Sequence, residues 1–241
     1  GIIPVSALRG DNVTQRLDAA WYAGPSLLEL LESLPTTQER TAGDLLVPVQ
    51  YVQREGEGTG DQPRIFWGRV AHGTVKAGDA VQVYPSGQGA VVREVRRAGS
   101  IVASVKAGES AGIVLDRQLD ISRGDWIATP ASLQPAQHFE ATLAWLDTET
   151  AVVGRKYWVR HGNRWVQARV TAIDHRLDIH SLQPSDAHEL AVNEIGHVTI
   201  EVQQPLPLEP YERNRVGGAL IIVDPTSNRT SGALLVRRAV H

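Results

Sequence analysis

The 241-residue chain has no cysteine, no methionine and no long uninterrupted apolar run. The missing cysteine excludes disulfides, thiol catalysis and cysteine-based zinc sites, and it fits a cytoplasmic protein without requiring one. The missing apolar run excludes a transmembrane helix and leaves nothing at the start that reads as a secretory signal. A chain without methionine, even at position 1, is expected to be a piece of a longer protein, or one whose modified methionines have gone unwritten. A strong basic excess is absent too. The 24 Lys and Arg face 27 Asp and Glu, a net charge of −3. The balance holds locally, with 3 basic and 5 acidic residues in 1–43, 10 and 10 in 44–130, and 11 and 12 in 131–241. Affinity built on neutralising phosphates needs such an excess, so the counts argue against nucleic acid. A local patch can still hide inside a balanced total.

What is present divides into a short helical stretch and two β series. The opening GIIPVSALRGDN reads as the end of a buried strand, IIPV, running into a turn of small residues at Ser6, Ala7 and Leu8. In GPSLLELLESLP, Ser26 and Glu29 form a capping box, each side chain serving the other's backbone N–H. Leu27, Leu30, Leu31 and Leu34 share one helical face, and Pro35 is the expected stop. That face wants a core, and the first 43 residues are too few to build one. From residue 44 the pattern becomes short strands punctuated by turn residues: LLVPVQYV, RIFWGRVA, DAVQVYP, AVVREVRR, IVASV, AGIVLD and DWIATP, broken by HGTVKAGD, PSGQG and KAGES. ATPASLQPAQ reads as a linker. The second series is FEATLAWL, RKYWVRH, RWVQARVTAI, HVTIEVQQPL, GALIIVD and GALLVRR. In RWVQARVTAI the two-residue period puts Val166, Ala168, Val170 and Ala172 on one face.

The residue types that could carry chemistry have plainer readings. Ser6 lacks the GxSxG context of a nucleophile elbow and reads as a turn residue. Gly56, Gly58 and Gly60 are followed by no Lys-Ser or Lys-Thr pair, so REGEGTGDQ reads as a hairpin loop rather than a phosphate cradle. Arg123-Gly124-Asp125 reads as the turn entering DWIATP, not as an adhesion tripeptide. In DHRLDIHSL, alternation sets His175 with Leu177 and Ile179, and Asp174, Arg176, Asp178 and His180 opposite, a salt-bridged face rather than a metal site. Trp67, Trp126, Trp145, Trp158 and Trp165 fall in strand candidates, where burial is the default expectation. No catalytic or metal-binding residue emerges, and the chain alone does not read as catalytic.

GRVAHGTVKAGDAVQVYPSGQGAVVREVRR and VKAGESAGIVLDRQLDISRGDWIA together resemble the second domain of elongation factor Tu-like GTPases. Within that superfamily IPVSALRGDNV, WYAGPSLLELLE, LVPVQYVQR, LDISRGD and the run from Asn193 to Gly232 resemble the large, GTP-binding subunits of bacterial sulfate adenylyltransferases. The likeness covers essentially the whole chain and departs from the pattern in REGEGTGDQPRIFW and near Gly217. The resemblance implies a mainly β fold of two consecutive barrels, 44–130 and 131–241, preceded by the last strand and helix of a P-loop GTPase domain, 1–43. It implies that Ser6, Ala7 and Leu8 are the fifth guanine-nucleotide motif, offering backbone N–H groups to the guanine O6. It implies GTP and Mg²⁺ as cofactors of an intact cytoplasmic protein, and a smaller ATP-binding subunit as its partner in a heterodimer or larger assembly. The intact protein would couple GTP hydrolysis to formation of adenosine 5′-phosphosulfate and pyrophosphate. No GxxxxGK[ST], DxxG or NKxD occurs in the chain. Two rival readings stand beside this one: a translation factor binding aminoacyl-tRNA, and a non-enzymatic two-barrel interaction module.

Overall fold

The structure, a computed structural model, describes residues 2–34, 43–54, 63–178, 180–181 and 183–240. The chain divides into two compact units, Gly1–Glu39 and Arg40–His241. In the first, the single helix α1 (Leu27–Ser33) carries the expected capping box, with Glu29 N–H donating to Ser26 Oγ at 3.2 Å and Ser26 N–H to Glu29 Oε2 at 2.8 Å. A helix this short does not persist on its own propensity. Two further N-terminal donors are taken up by the preceding loop, Leu27 N–H by Asn12 O and Leu28 N–H by Val13 O, both at 2.9 Å. No residue of α1 is buried, and Leu31 and Leu34 are about half exposed. The leucine face therefore finds no core within its own unit. Pro35, the expected stop, lies outside the described residues, and Leu34 already has extended backbone.

The second unit begins with strands β1 (Leu46–Pro48), β2 (Tyr51–Arg54), β3 (Arg64–Arg69), β4 (Thr74–Lys76), β5 (Ala80–Tyr84), β6 (Gly89–Arg97), β7 (Ser100–Ile101), β8 (Ser104–Lys106), β9 (Ser110–Leu115) and β10 (Trp126–Ala128). All pair antiparallel: β1-β10-β5-β6-β9-β3-β2 make the main path, with β7 on β6, and β4 and β8 make a separate two-stranded ribbon. The ends of that path, β1 and β2, are consecutive pieces of one extended run, so the sheet closes on itself. Pro48 offers no N–H at the switch. Val49 N–H continues the ladder to Asp125 O and Gln50 N–H to Trp67 O, both at 2.8 Å. The core is aliphatic, built on Val47, Val83, Val95, Ile113 and Ile127.

The remaining strands are β11 (Ala136–Trp145), β12 (Ala151–Val152), β13 (Lys156–His161), β14 (Arg164–Leu177), β15 (Pro184–Ser185), β16 (Glu189–Leu190), β17 (Ile195–Leu206), β18 (Ala219–Val223) and β19 (Thr230–Val240), with a short helix α2 (Arg215–Gly218) before β18. The ring β13-β18-β19-β11-β17-β14 closes through the pairing of β14 with β13, and β15 lies outside on β14. The fold is mainly β, two consecutive barrels of the kind the sequence implied. Phe139, Leu143, Tyr157, Ile200 and Ile222 fill the second core.

Five expectations need correction. IIPV is not a buried strand: residues 2–5 join no sheet, and Ile2 and Val5 are exposed. A bulge between Val170 and Ala172 shifts the register of β14 against β17, so Ile173 replaces Ala172 on the buried face. HGTVKAGD is not simply a break, because Thr74–Lys76 within it pairs with β8. ATPASLQPAQ is packed rather than loose: Leu133 and Ala136 are buried, and Thr129 Oγ1 accepts from Leu45 N–H at 2.8 Å. Trp165 is 48% exposed, its ring covered only by the Arg160 guanidinium 5.6 Å away. Urea unfolding separates the two kinds of aromatic. Phe139→Ala, at a fully buried position, is expected to cost about 3–5 kcal/mol, and Trp165→Ala about 1 kcal/mol or less.

Candidate functional site

The loop carrying the first candidate residues is organised by Asn12. Its buried side chain donates from Nδ2 to Pro4 O at 2.8 Å and accepts at Oδ1 from Leu17 N–H at 2.9 Å. Its φ of 59° lies in the left-handed region that asparagine tolerates better than most residues. Above it the turn is held by Ser6 N–H donating to Asp11 O at 3.1 Å, Gly10 N–H to Ser6 O at 2.8 Å and Arg9 N–H to Ser6 Oγ at 3.2 Å. The Ser6 hydroxyl and N–H are thus both engaged inside the loop. Ala7 and Leu8 are exposed, and among the described residues their N–H groups have no partner. The loop presents two adjacent backbone donors beside side chains that are small or turned to solvent. That suits a carbonyl-type acceptor such as guanine O6, and a general base is missing from the turn. Asn12 itself gave no sequence signal beyond its place in RGDN, because its role is set by contacts with Pro4 and Leu17.

The second feature joins the two barrels of the second unit. Ser122–Asp125 is a tight turn, with Ser122 N–H on Asp125 Oδ2 at 2.8 Å and Gly124 at φ +99°. Gly124 also packs against the second barrel: a Cβ there would lie 3.1 Å from the Arg164 backbone. Asp125 Oδ1 accepts from Arg164 at 2.9 Å, and Arg164 also donates to Gln204 at 2.9 Å. Next in sequence, Trp126 stacks on His161 with ring centroids 4.6 Å apart and planes 19° from parallel. His161 Nε2 donates to Gly217 O at 3.0 Å, and its Nδ1 is buried without a partner, as is Trp126 Nε1. Burial pushes the His161 pKa down to about 4, against the raising effect of the Gly217 carbonyl. The imidazole is therefore neutral at pH 7.

Other candidates fall into place. Arg123-Gly124-Asp125 is this joint, and the Asp125 side chain is only 13% exposed. Asp178 serves a turn, Oδ1 accepting from His180 N–H, Ser181 N–H and Ser181 Oγ, which together lower its pKa. His175 lies edge-on to His197 across the ladder, 4.3 Å between centroids. Gly56, Gly58 and Gly60 lie outside the described residues.

A group that is neutral when folded but binds a proton when unfolded loses stability as pH falls from 6.5 toward the folded value near 4. The wild-type chain is expected to lose on the order of 3 kcal/mol across that window, and His161→Asn to flatten this loss, both measured by denaturant unfolding at pH 7.5 and 4.5. Asn12→Gly keeps the left-handed backbone but removes both side-chain bonds. It is expected to cut amide-exchange protection at Leu17 by about tenfold.

Residues 138–237 match the family model described as GTP-eEF1A C-terminal domain-like. The chain is 36% identical to sulfate adenylyltransferase subunit 1 of Laribacter hongkongensis over 240 residues, covering 98% of this chain and 49% of that protein. It is 39% identical to the bifunctional enzyme CysN/CysC of Xylella fastidiosa, covering 99% of this chain and 38% of that protein. Subunit 1 of Salmonella typhi is 37% identical, with 98% and 49% covered. Among solved structures, sup35 complexed with GDP superposes with a TM-score of 0.76 at 22% identity, over 99% of this chain and 58% of that one. The chain thus spans about half the length of the subunit 1 relatives it matches. Along nearly all of its own length it is a homologue of sulfate adenylyltransferase subunit 1, built on the two-barrel fold of elongation factor-like GTPases.

Proposed function

We propose that this chain is part of the regulatory GTPase subunit of a sulfate adenylyltransferase, with residues 1–43 the end of a GTPase domain and 44–130 and 131–241 its two barrel domains. The observation that carries the reading is the end-to-end match to such subunits at 36–39% identity. In this reading the intact protein binds GTP with Mg²⁺ and pairs with a smaller ATP-binding subunit, which joins ATP and sulfate into adenosine 5′-phosphosulfate and pyrophosphate. Formation of a phosphosulfate anhydride is strongly uphill, and hydrolysis elsewhere can drive it only through a conformational cycle. GTP, when bound, would supply that free energy through its hydrolysis to GDP and phosphate.

What this chain contributes is recognition and transmission. The loop at Ser6, Ala7 and Leu8 selects the base: the N–H groups of Ala7 and Leu8 donate to a carbonyl oxygen and reject the amino group that adenine presents at the same place. The Asp125–Arg164 pair and the Trp126–His161 stack hold the two barrels as one body, so a displacement imposed on either reaches the other without loss. Breaking a half-buried ion pair from one side leaves a charge uncompensated, which keeps the joint rigid.

Two measurements test the reading. The full-length subunit pair is expected to make more adenosine 5′-phosphosulfate with GTP than without, and equal yields would end the proposal. Ala7→Pro removes a backbone donor and is expected to weaken GDP binding about tenfold relative to Ala7→Gly, by equilibrium titration.

A further inference from the structure

The even charge balance of residues 44–130 conceals a basic cleft on the outside of the first barrel. Gln50, Tyr51, Arg54, Arg64, Ser122 and Arg123 line a depression of about 450 Å³, with Asp120 at its rim. Arg54 and Arg64 are direct cross-strand partners in the β2–β3 ladder. Like charges opposed on one rung destabilise an antiparallel pair. Nothing within the described chain relieves this: Arg54 has no partner there, and Arg64 has only Leu119 O at 3.5 Å and an almost fully exposed Asp120 at 3.8 Å. Arg123, from the turn before β10, is held only by Asn163 at 3.4 Å. Beyond Arg64 a second depression of about 240 Å³ continues the surface with Arg93 and Arg117, beside Asp116. Among the described residues that line the two depressions, five arginines stand beside two carboxylates.

We propose that this cleft binds a phosphorylated small molecule, whose phosphoryl oxygens bridge the opposed Arg54 and Arg64 guanidinium groups with Arg123 closing from the side. Guanidinium groups recognise phosphoryl oxygens through paired, charge-assisted hydrogen bonds, and an anion between Arg54 and Arg64 turns their repulsion into shared attraction. The volume accommodates a mononucleotide as well as inorganic pyrophosphate. The nucleoside distinguishes the two sources, because it brings contacts that pyrophosphate has no atoms to make. The site is separate from the Ser6–Leu8 loop, and its test involves neither GTP nor sulfate transfer, so it stands or falls independently of the function proposed above.

Calorimetric titration of the full chain with pyrophosphate, with AMP and with adenosine decides the matter. Pyrophosphate or AMP is expected to bind with a dissociation constant of about 1 mM or below, and more weakly as NaCl is raised. Arg54→Gln is expected to weaken binding about tenfold and, without ligand, to raise the urea midpoint by removing the like-charge contact; a merely structural arginine would lower it. Arg64→Lys keeps the charge but loses the paired geometry, and a weakening of about fivefold is expected. AMP binding tighter than pyrophosphate, with adenosine also bound, identifies a nucleotide; AMP binding no tighter than pyrophosphate, with adenosine unbound, identifies the inorganic anion. No saturable binding of either up to about 10 mM, or binding unchanged in both arginine variants, overturns the proposal.

Discussion

The joint at residues 122–126 and 161–164 is the constraint on which the second unit turns. Each barrel closes its own sheet and fills its own core, so neither needs the other to satisfy its backbone. What makes them one body is a patch where a turn from one meets a hairpin from the other. A carboxylate and a guanidinium are mostly removed from water there, and an indole and an imidazole are removed almost completely. Three polar atoms at the patch, Trp126 Nε1, His161 Nδ1 and Arg164 Nε, go without partners. Those desolvation costs are offset by stacking and by Gly217 O, so the joint is specific before it is strong.

Much of the fold was legible because its signals are local. Period-two alternation, Gly and Asp turns and the Ser26–Glu29 box depend only on neighbours in sequence, and the structure realises them. The failures are non-local. Ala172 lost its place to Ile173 because a bulge is decided by the partner strand β17. Thr74–Lys76 became a strand only because β8 lies beside it. Of the candidate loop, the small residues were readable, whereas the anchoring by Asn12 and the engagement of Ser6 N–H depend on contacts that no spacing announces. The burial assigned to Trp165 failed for the same reason: a strand position says that a ring points to one side of the sheet, not which side is dry.

The first unit shows the reverse. Its helix is locally well specified yet buries nothing, and Ile2, Leu8, Trp21, Leu31 and Leu34 are left facing water. Local signals fixed the element, while the surface that would reward its apolar face lies outside its own unit.

Closure of the two sheets also limits how another protein can take hold of the barrels. A sheet with a free border can recruit a foreign strand through main-chain bonds alone, with little regard to side chains. Here the β1–β2 run and the β13–β14 pairing close both main sheets, and the strands added outside, β7 and β15, are two residues long, β15 carrying Pro184, which offers no donor. The small ribbon of β4 and β8 ends in Lys76 and Lys106. Recognition of the barrels is therefore left to loops and side-chain chemistry, where a single charge decides which partner is admitted.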